Sequence, residues 1–89
     1  MEPDPIGGGI RSIAANVRRL RERQGISQEA LAEAAGVDAK SIQILERGTG
    51  NPTARLLIAV ASALGVSTGS LFKAAKMAPR PTGRPRRAK

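Results

Sequence analysis

Apolar residues along the chain fall into five short runs at helical spacing, separated by glycines and preceded by residues able to cap a helix. Ile13, Val17 and Leu20 recur at i, i+4 and i+7, with Arg18, Arg19, Arg21, Glu22 and Arg23 on the other faces. This spacing predicts an amphipathic helix from Ile13 to a stop at Gly25. Ser27 is placed to cap a second helix, QEALAEAA, which turns Ala30, Leu31 and Ala34 or Ala35 inward and breaks at Gly36. Asp38 is placed to cap a third, AKSIQILER, ended by Gly48. Thr53 after Pro52 opens a fourth, ARLLIAVASAL, closed by Gly65, and Ser67 opens a short fifth holding Leu71 and Phe72. Caps, stops and periodicity agree at every boundary, so the predicted fold class is all-α: a compact five-helix domain over residues 13–74. Residues 1–12 combine two prolines with Gly7 to Gly9 and offer little to bury, which predicts a flexible leader. Residues 75–89, rich in Arg and Pro, are expected to form a disordered basic tail.

Composition narrows the chemistry. The chain has 89 residues, enough for one small core, and is 40% hydrophobic but only 1% aromatic, so Leu, Ile, Val and Ala must build that core. With no cysteine and no histidine, a disulfide frame, a Cys/His zinc site and His-based acid–base catalysis are excluded; no enzyme and no cofactor are expected. The longest apolar run, Leu56 to Val66, is broken by Ser62 and falls short of the roughly 20 residues that span a bilayer. The opening MEPDPIGGGIRS lacks the charged-then-apolar pattern of a signal peptide, so a cytoplasmic, nucleoid-associated protein with no membrane contact is expected.

The net charge of +8 is unevenly placed. Residues 1–12 sum to −1, residues 13–72 to +2, and residues 73–89 to +7 with no acid among them. A polyanion such as nucleic acid is the natural partner for such a tail.

Residues Ser27 to Gly48, SQEALAEAAGVDAKSIQILERG, read as two short helices joined by a tight turn at Gly36-Val37, with Val37, Ile42 and Leu45 anchoring the second across the first. That is a helix-turn-helix, whose second helix can enter a major groove. The sequence here resembles the Cro and phage-repressor (Xre-type) family through "LRERQGISQEALAEAAGV", "SIQILERG", "NP" and "LIAVASALGVS". The resemblance runs from about Ile13 to Phe72 and implies a lambda-repressor-like DNA-binding domain in a transcriptional regulator, with repression the expected action.

The resemblance implies base-reading positions at Ala39, Lys40, Gln43 and Ile44. Stepping roughly 100° per residue around the third helix agrees: Ile42 and Leu45 face one side, and Lys40, Gln43, Ile44 and Arg47 the other. Lys40 is suited to guanine O6/N7, Gln43 to adenine N6/N7 and Ile44 to a thymine methyl; the family more often has a polar residue at Ile44. The family glutamine that meets DNA phosphate corresponds to Gln28, at a helix N-terminus that favours anions in any case. Arg47, Gly48 and Asn51 are further phosphate candidates, although Thr49-Gly50 lacks the Lys or Arg the family often carries there. The resemblance also implies a structural ion pair between Arg21 and Glu46.

Family members dimerise on two-fold symmetric operators, so a homodimer on double-stranded DNA is expected, with Val66, Leu71 and Phe72 as the candidate interface. The alternative is an antitoxin-type module that binds a toxin or other protein partner while repressing its own promoter. RNA binding is disfavoured by the near absence of aromatics for base stacking. In the tail, Thr82-Gly83-Arg84-Pro85-Arg86 resembles the AT-hook, a minor-groove motif. Pro85 keeps the chain extended, Gly83 allows close approach, and Arg84 and Arg86 suit a narrow A·T minor groove, leaving Arg80 and Arg87 for phosphates.

Overall fold

A computed structural model describes residues 5–74. They form four α-helices, α1 (Pro5–Arg23), α2 (Gln28–Ala35), α3 (Ala39–Arg47) and α4 (Ala54–Leu64), followed by a 3₁₀ helix (Thr68–Phe72). The expected all-α arrangement stands, with a fifth element of a different kind. Ser67 caps it by accepting from the Ser70 amide at 3.3 Å, and the Ser70 amide also donates to the Ser67 carbonyl at 3.0 Å. A run as short as Thr-Gly-Ser-Leu-Phe closes i→i+3 bonds more readily than it sustains α-helical ones.

The N-terminal boundary is the larger correction. The first helix starts at Pro5 and not at Ile13, so residues 5–12 are helical where a flexible leader was expected. Pro5 stands at the first helical position, where a missing N–H is no loss. Three successive glycines cost about 1 kcal/mol each relative to alanine in a helix, so local preference alone would not build this turn. Packing on α3 begins one turn later: Ala14 is buried, and a Cβ placed on Gly48 would lie 3.5 Å from the Ala14 Cβ and 3.7 Å from the Arg11 Cα. Glycine at 48 therefore lets α1 run close against the end of α3.

Serine and threonine caps hold the later helices as their positions suggest. The Ser27 hydroxyl accepts from the Ala30 amide at 2.9 Å, and Thr53 from the Leu56 amide at 3.1 Å. Asp38 stands at the expected cap position of α3 but makes no side-chain cap bond; the backbone supplies the closure, from the Ser41 amide to the Asp38 carbonyl at 3.0 Å. At the turn between α2 and α3, Gly36 adopts φ +74°, and the following Val37 amide reaches back to the Ala32 carbonyl at 2.9 Å.

One core joins all five elements. Ile13 and Val17 of α1, Leu31 and Ala32 of α2, Ile42 and Leu45 of α3, Leu57, Val60, Ala61 and Leu64 of α4, and Leu71 of the 3₁₀ helix are buried together. Burial of each of the larger aliphatic side chains is worth about 2 kcal/mol. The one buried polar residue among those described is Asn16, whose amide donates to the Leu71 carbonyl at 2.9 Å and the Lys73 carbonyl at 2.8 Å. This clamp fastens the C-terminal end of the domain onto α1.

Candidate nucleic-acid interface

The turn at Gly36 sets α3 against α2 and α1 by one face and leaves the opposite face in solvent. Ile42 and Leu45 are buried; Lys40, Gln43, Ile44 and Arg47 are exposed. The division follows from helical spacing: Ile42 and Leu45, three apart, turn inward, which sends Gln43 and Ile44 between them outward. Ala39 is half-buried and packs on the core edge, so its reach outward is limited to its backbone and methyl. Ile44 is 38% exposed, and a Cβ on Gly50 would lie 3.2 Å from its Cγ2. One side of Ile44 thus supports the loop after α3 while the other faces solvent.

A half-buried polar knot fixes the roll of α3. Arg21 Nε donates to Glu46 Oε2 at 2.6 Å and Arg21 Nη2 to Oε1 at 3.0 Å, a two-pronged pair from α1 to α3. The Glu46 side chain is 4% exposed, so its charge needs these partners. The hydrogen bond to Glu46 raises the Arg21 pKa above its ordinary value, against the opposing pull of burial. Arg21 also donates from Nη1 to the Ile26 carbonyl at 2.8 Å, which ties in the loop before α2.

Gln28 belongs to the same knot. Its Nε2 donates to Glu46 Oε1 at 3.0 Å and the side chain is half-buried, so one amide proton is committed inside the protein. Only the second proton of that NH₂ remains to meet a phosphate. Gly48 changes in a similar way: its N–H donates to the Leu45 carbonyl at 3.2 Å and is not open to an anion. The amides of Thr49, Gly50 and Asn51 have no protein acceptor among the described residues. Arg47 and Asn51 are exposed.

An open polar cleft brings part of this set together. Arg18, Arg21, Gln28, Gln43, Glu46 and Arg47 line it, which joins the expected base-reading and phosphate positions across α1, α2 and α3. In the sequence Arg18 reads only as an outer-face charge; its place, one turn before Glu22 on the helix that contacts α3, is the signal that could mark it. Arg55, which no motif in the sequence marks, shares a depression with Ser41, Ile44, Thr49 and Asn51 beside α3. That position supplies a cation near the loop that lacks one.

Of the three residues expected at a dimer surface, Leu71 does not fit that role. Leu71 is fully buried and closes the core, so it is unavailable to a second subunit. Its burial follows from the Asn16 clamp, which draws the 3₁₀ helix down on α1. Val66 is half-buried against the core, whereas Phe72 is 57% exposed and Ile58 of α4, which the helical pattern did not single out, is 56% exposed. The tail positions Arg80, Gly83, Arg84, Pro85, Arg86 and Arg87 lie outside the described residues. Among the described residues no helix is long and apolar enough to cross a membrane, and no cluster of His, Cys, Asp or Glu could hold a metal ion.

Two short helices locked across a glycine turn, with the second presenting a polar outer face, define a helix-turn-helix domain. Residues 17–71 match the HTH_3 helix-turn-helix family, and the chain belongs to it. This is a DNA-binding family of transcriptional regulators and not of enzymes. Over 55 residues the chain is 40% identical to the uncharacterized HTH-type transcriptional regulator y4dJ of Sinorhizobium fredii, covering 62% of this chain and 71% of that one. The crystal structure of the restriction-modification controller protein C.AhdI from Aeromonas hydrophila matches with a TM-score of 0.68 at 32% identity, over 71% of this chain and 96% of that one. The hypothetical transcription factor NHTF from Neisseria matches at 0.71, also at 32% identity, over 81% of this chain and 82% of that one.

Proposed function

We propose that this DNA-binding regulator is a repressor that inserts α3 into the major groove as a homodimer on an inverted repeat. The observation that carries the reading is the outer face of α3, where Lys40, Gln43 and Arg47 stand in solvent while Arg21 and Glu46 fix the helix from beneath. Lys40 and Gln43 contact base edges, Ile44 offers a methyl-sized apolar contact, and Ala39 allows close approach. Arg47, Asn51 and the loop amides hold phosphates on one side, and the free proton of the Gln28 amide on the other. A helix seated over a promoter in this way excludes polymerase, which is the basis for repression.

The dimer is built on Phe72 and Ile58, with Val66 at the margin. One domain presents a single reading helix, and two-fold pairing doubles the sequence that is read. The tail adds Arg84 and Arg86 in the flanking minor groove, with Arg80 and Arg87 on phosphates. Footprinting on a selected operator tests these parts together. Saturating full-length protein is expected to protect two half-sites about one helical turn apart. Removal of residues 76–89 is expected to expose the flanking minor groove while the half-sites stay protected. Protection of a lone half-site contradicts the dimer, and unchanged flanks after truncation contradict the role of the tail.

A further inference from the structure

The polar cleft that holds Gln28 and Gln43 does not end at α3. It opens into a second groove along α1, and the two share Arg18, Glu46 and Arg47. The floor of this groove is Ala14, Ala15 and Gly48, none of which extends beyond a Cβ, and Arg11, Arg18, Arg19 and Arg47 stand around it. Charge within it is unbalanced. Glu46 is answered by Arg21 at 2.6 Å and Glu22 by Arg18 at 3.2 Å, and no carboxylate among the described residues pairs with Arg11, Arg19 or Arg47. Arg19 donates to the Asn16 side-chain oxygen at 3.2 Å, a neutral contact that leaves its charge in place.

Arg11 owes its position to the early start of α1. Its Cγ lies 3.6 Å from where a Cβ on Gly48 would be, so it stands at the C-terminal cap of α3, beside the beginning of the loop that carries no Lys or Arg of its own. We propose that this groove is a second DNA-backbone site, in which Arg11 and Arg19, together with Arg47, hold phosphates of the strand that borders the groove entered by α3. Guanidinium forks match phosphate oxygens in two-pronged fashion, and the shallow floor admits a phosphate between them. Continuity with the face that presents Gln43 favours a nucleic-acid backbone over an acidic protein segment. The proposal rests on the DNA-binding reading above.

The test uses full-length protein with three variants: Arg11→Gln, Arg11→Gln/Arg19→Gln and Arg11→Lys. Affinity for a selected operator and for a random duplex of equal length is measured across salt concentrations, with thermal melts to check the fold. Each phosphate contact contributes about 0.9 to the slope of log affinity against log salt, so the single Gln variant is expected to lower it by about 0.9 and the double by about 1.8. Both duplexes should weaken by the same factor, the preferred operator should stay the same, and Arg11→Lys should restore the slope. A wild-type slope in the folded double variant overturns the proposal, as does an altered base preference. An unchanged slope accompanied by loss of an acidic protein partner overturns it in favour of that partner. If wild-type protein shows no preference for any duplex, the DNA-reading assignment of α3 fails instead, a result the arginine variants do not produce.

Discussion

At the residue scale, Glu46 is the side chain on which the position of α3 most depends. It receives two bonds from Arg21 and one from Gln28, and is almost wholly removed from water. Glu46→Ala removes the two-pronged partner of a largely buried guanidinium and leaves it only Glu22 at 3.9 Å, which costs about 3 kcal/mol. Urea denaturation should show that loss as a lower midpoint, and Arg21→Met/Glu46→Leu should recover most of it. A midpoint within error of wild type for Glu46→Ala would mean that the pair contributes little. Pairing of these two residues was legible from the family resemblance, but the attachment of Gln28 was not. A glutamine at a helix N-terminus looks free in one dimension, because its neighbour Glu46 lies 18 residues further along the chain.

At the scale of elements, periodicity located α2, α3 and α4 because each is short, capped and ended by glycine at left-handed φ. It fails at the start of α1, where three glycines argue against a helix and the nearest contact with α3, from Arg11 and Ala14 to Gly48, joins residues far apart in sequence. Leu71 reads from sequence more readily as core than as interface, and the structure buries it, beside the Asn16 clamp on its carbonyl. Two glycine substitutions separate the physical causes. A Cβ at Gly9 or at Gly36 would meet nothing within 4 Å, but Gly9 is helical and Gly36 sits at φ +74°. Gly9→Ala should therefore stabilise the protein by about 0.5–1 kcal/mol and Gly36→Ala destabilise it by about 1 kcal/mol or more. Paired thermal melts decide the matter; no gain from Gly9→Ala would return residues 5–12 to a flexible leader.

At the scale of the whole molecule, a small aliphatic core carries α3 with its outer face in solvent, a cationic margin on α1, and the exposed apolar side chains Ile58 and Phe72. The proposed dimer has its own check. Phe72 is largely exposed, so Phe72→Glu should leave the thermal midpoint near wild type while sedimentation shifts from dimer to monomer. A wild-type monomer at concentrations that saturate the operator would contradict the symmetric arrangement. The central claim, that α3 reads bases through its outer face, is tested most directly by operator selection from randomised DNA with wild type and Gln43→Ala side by side. The account predicts an inverted repeat for the wild type. The variant should lose discrimination at one symmetry-related pair of positions, by about 1–3 kcal/mol, with all other positions preserved. Recovery of the same motif, equally sharp at every position, from both proteins would contradict it.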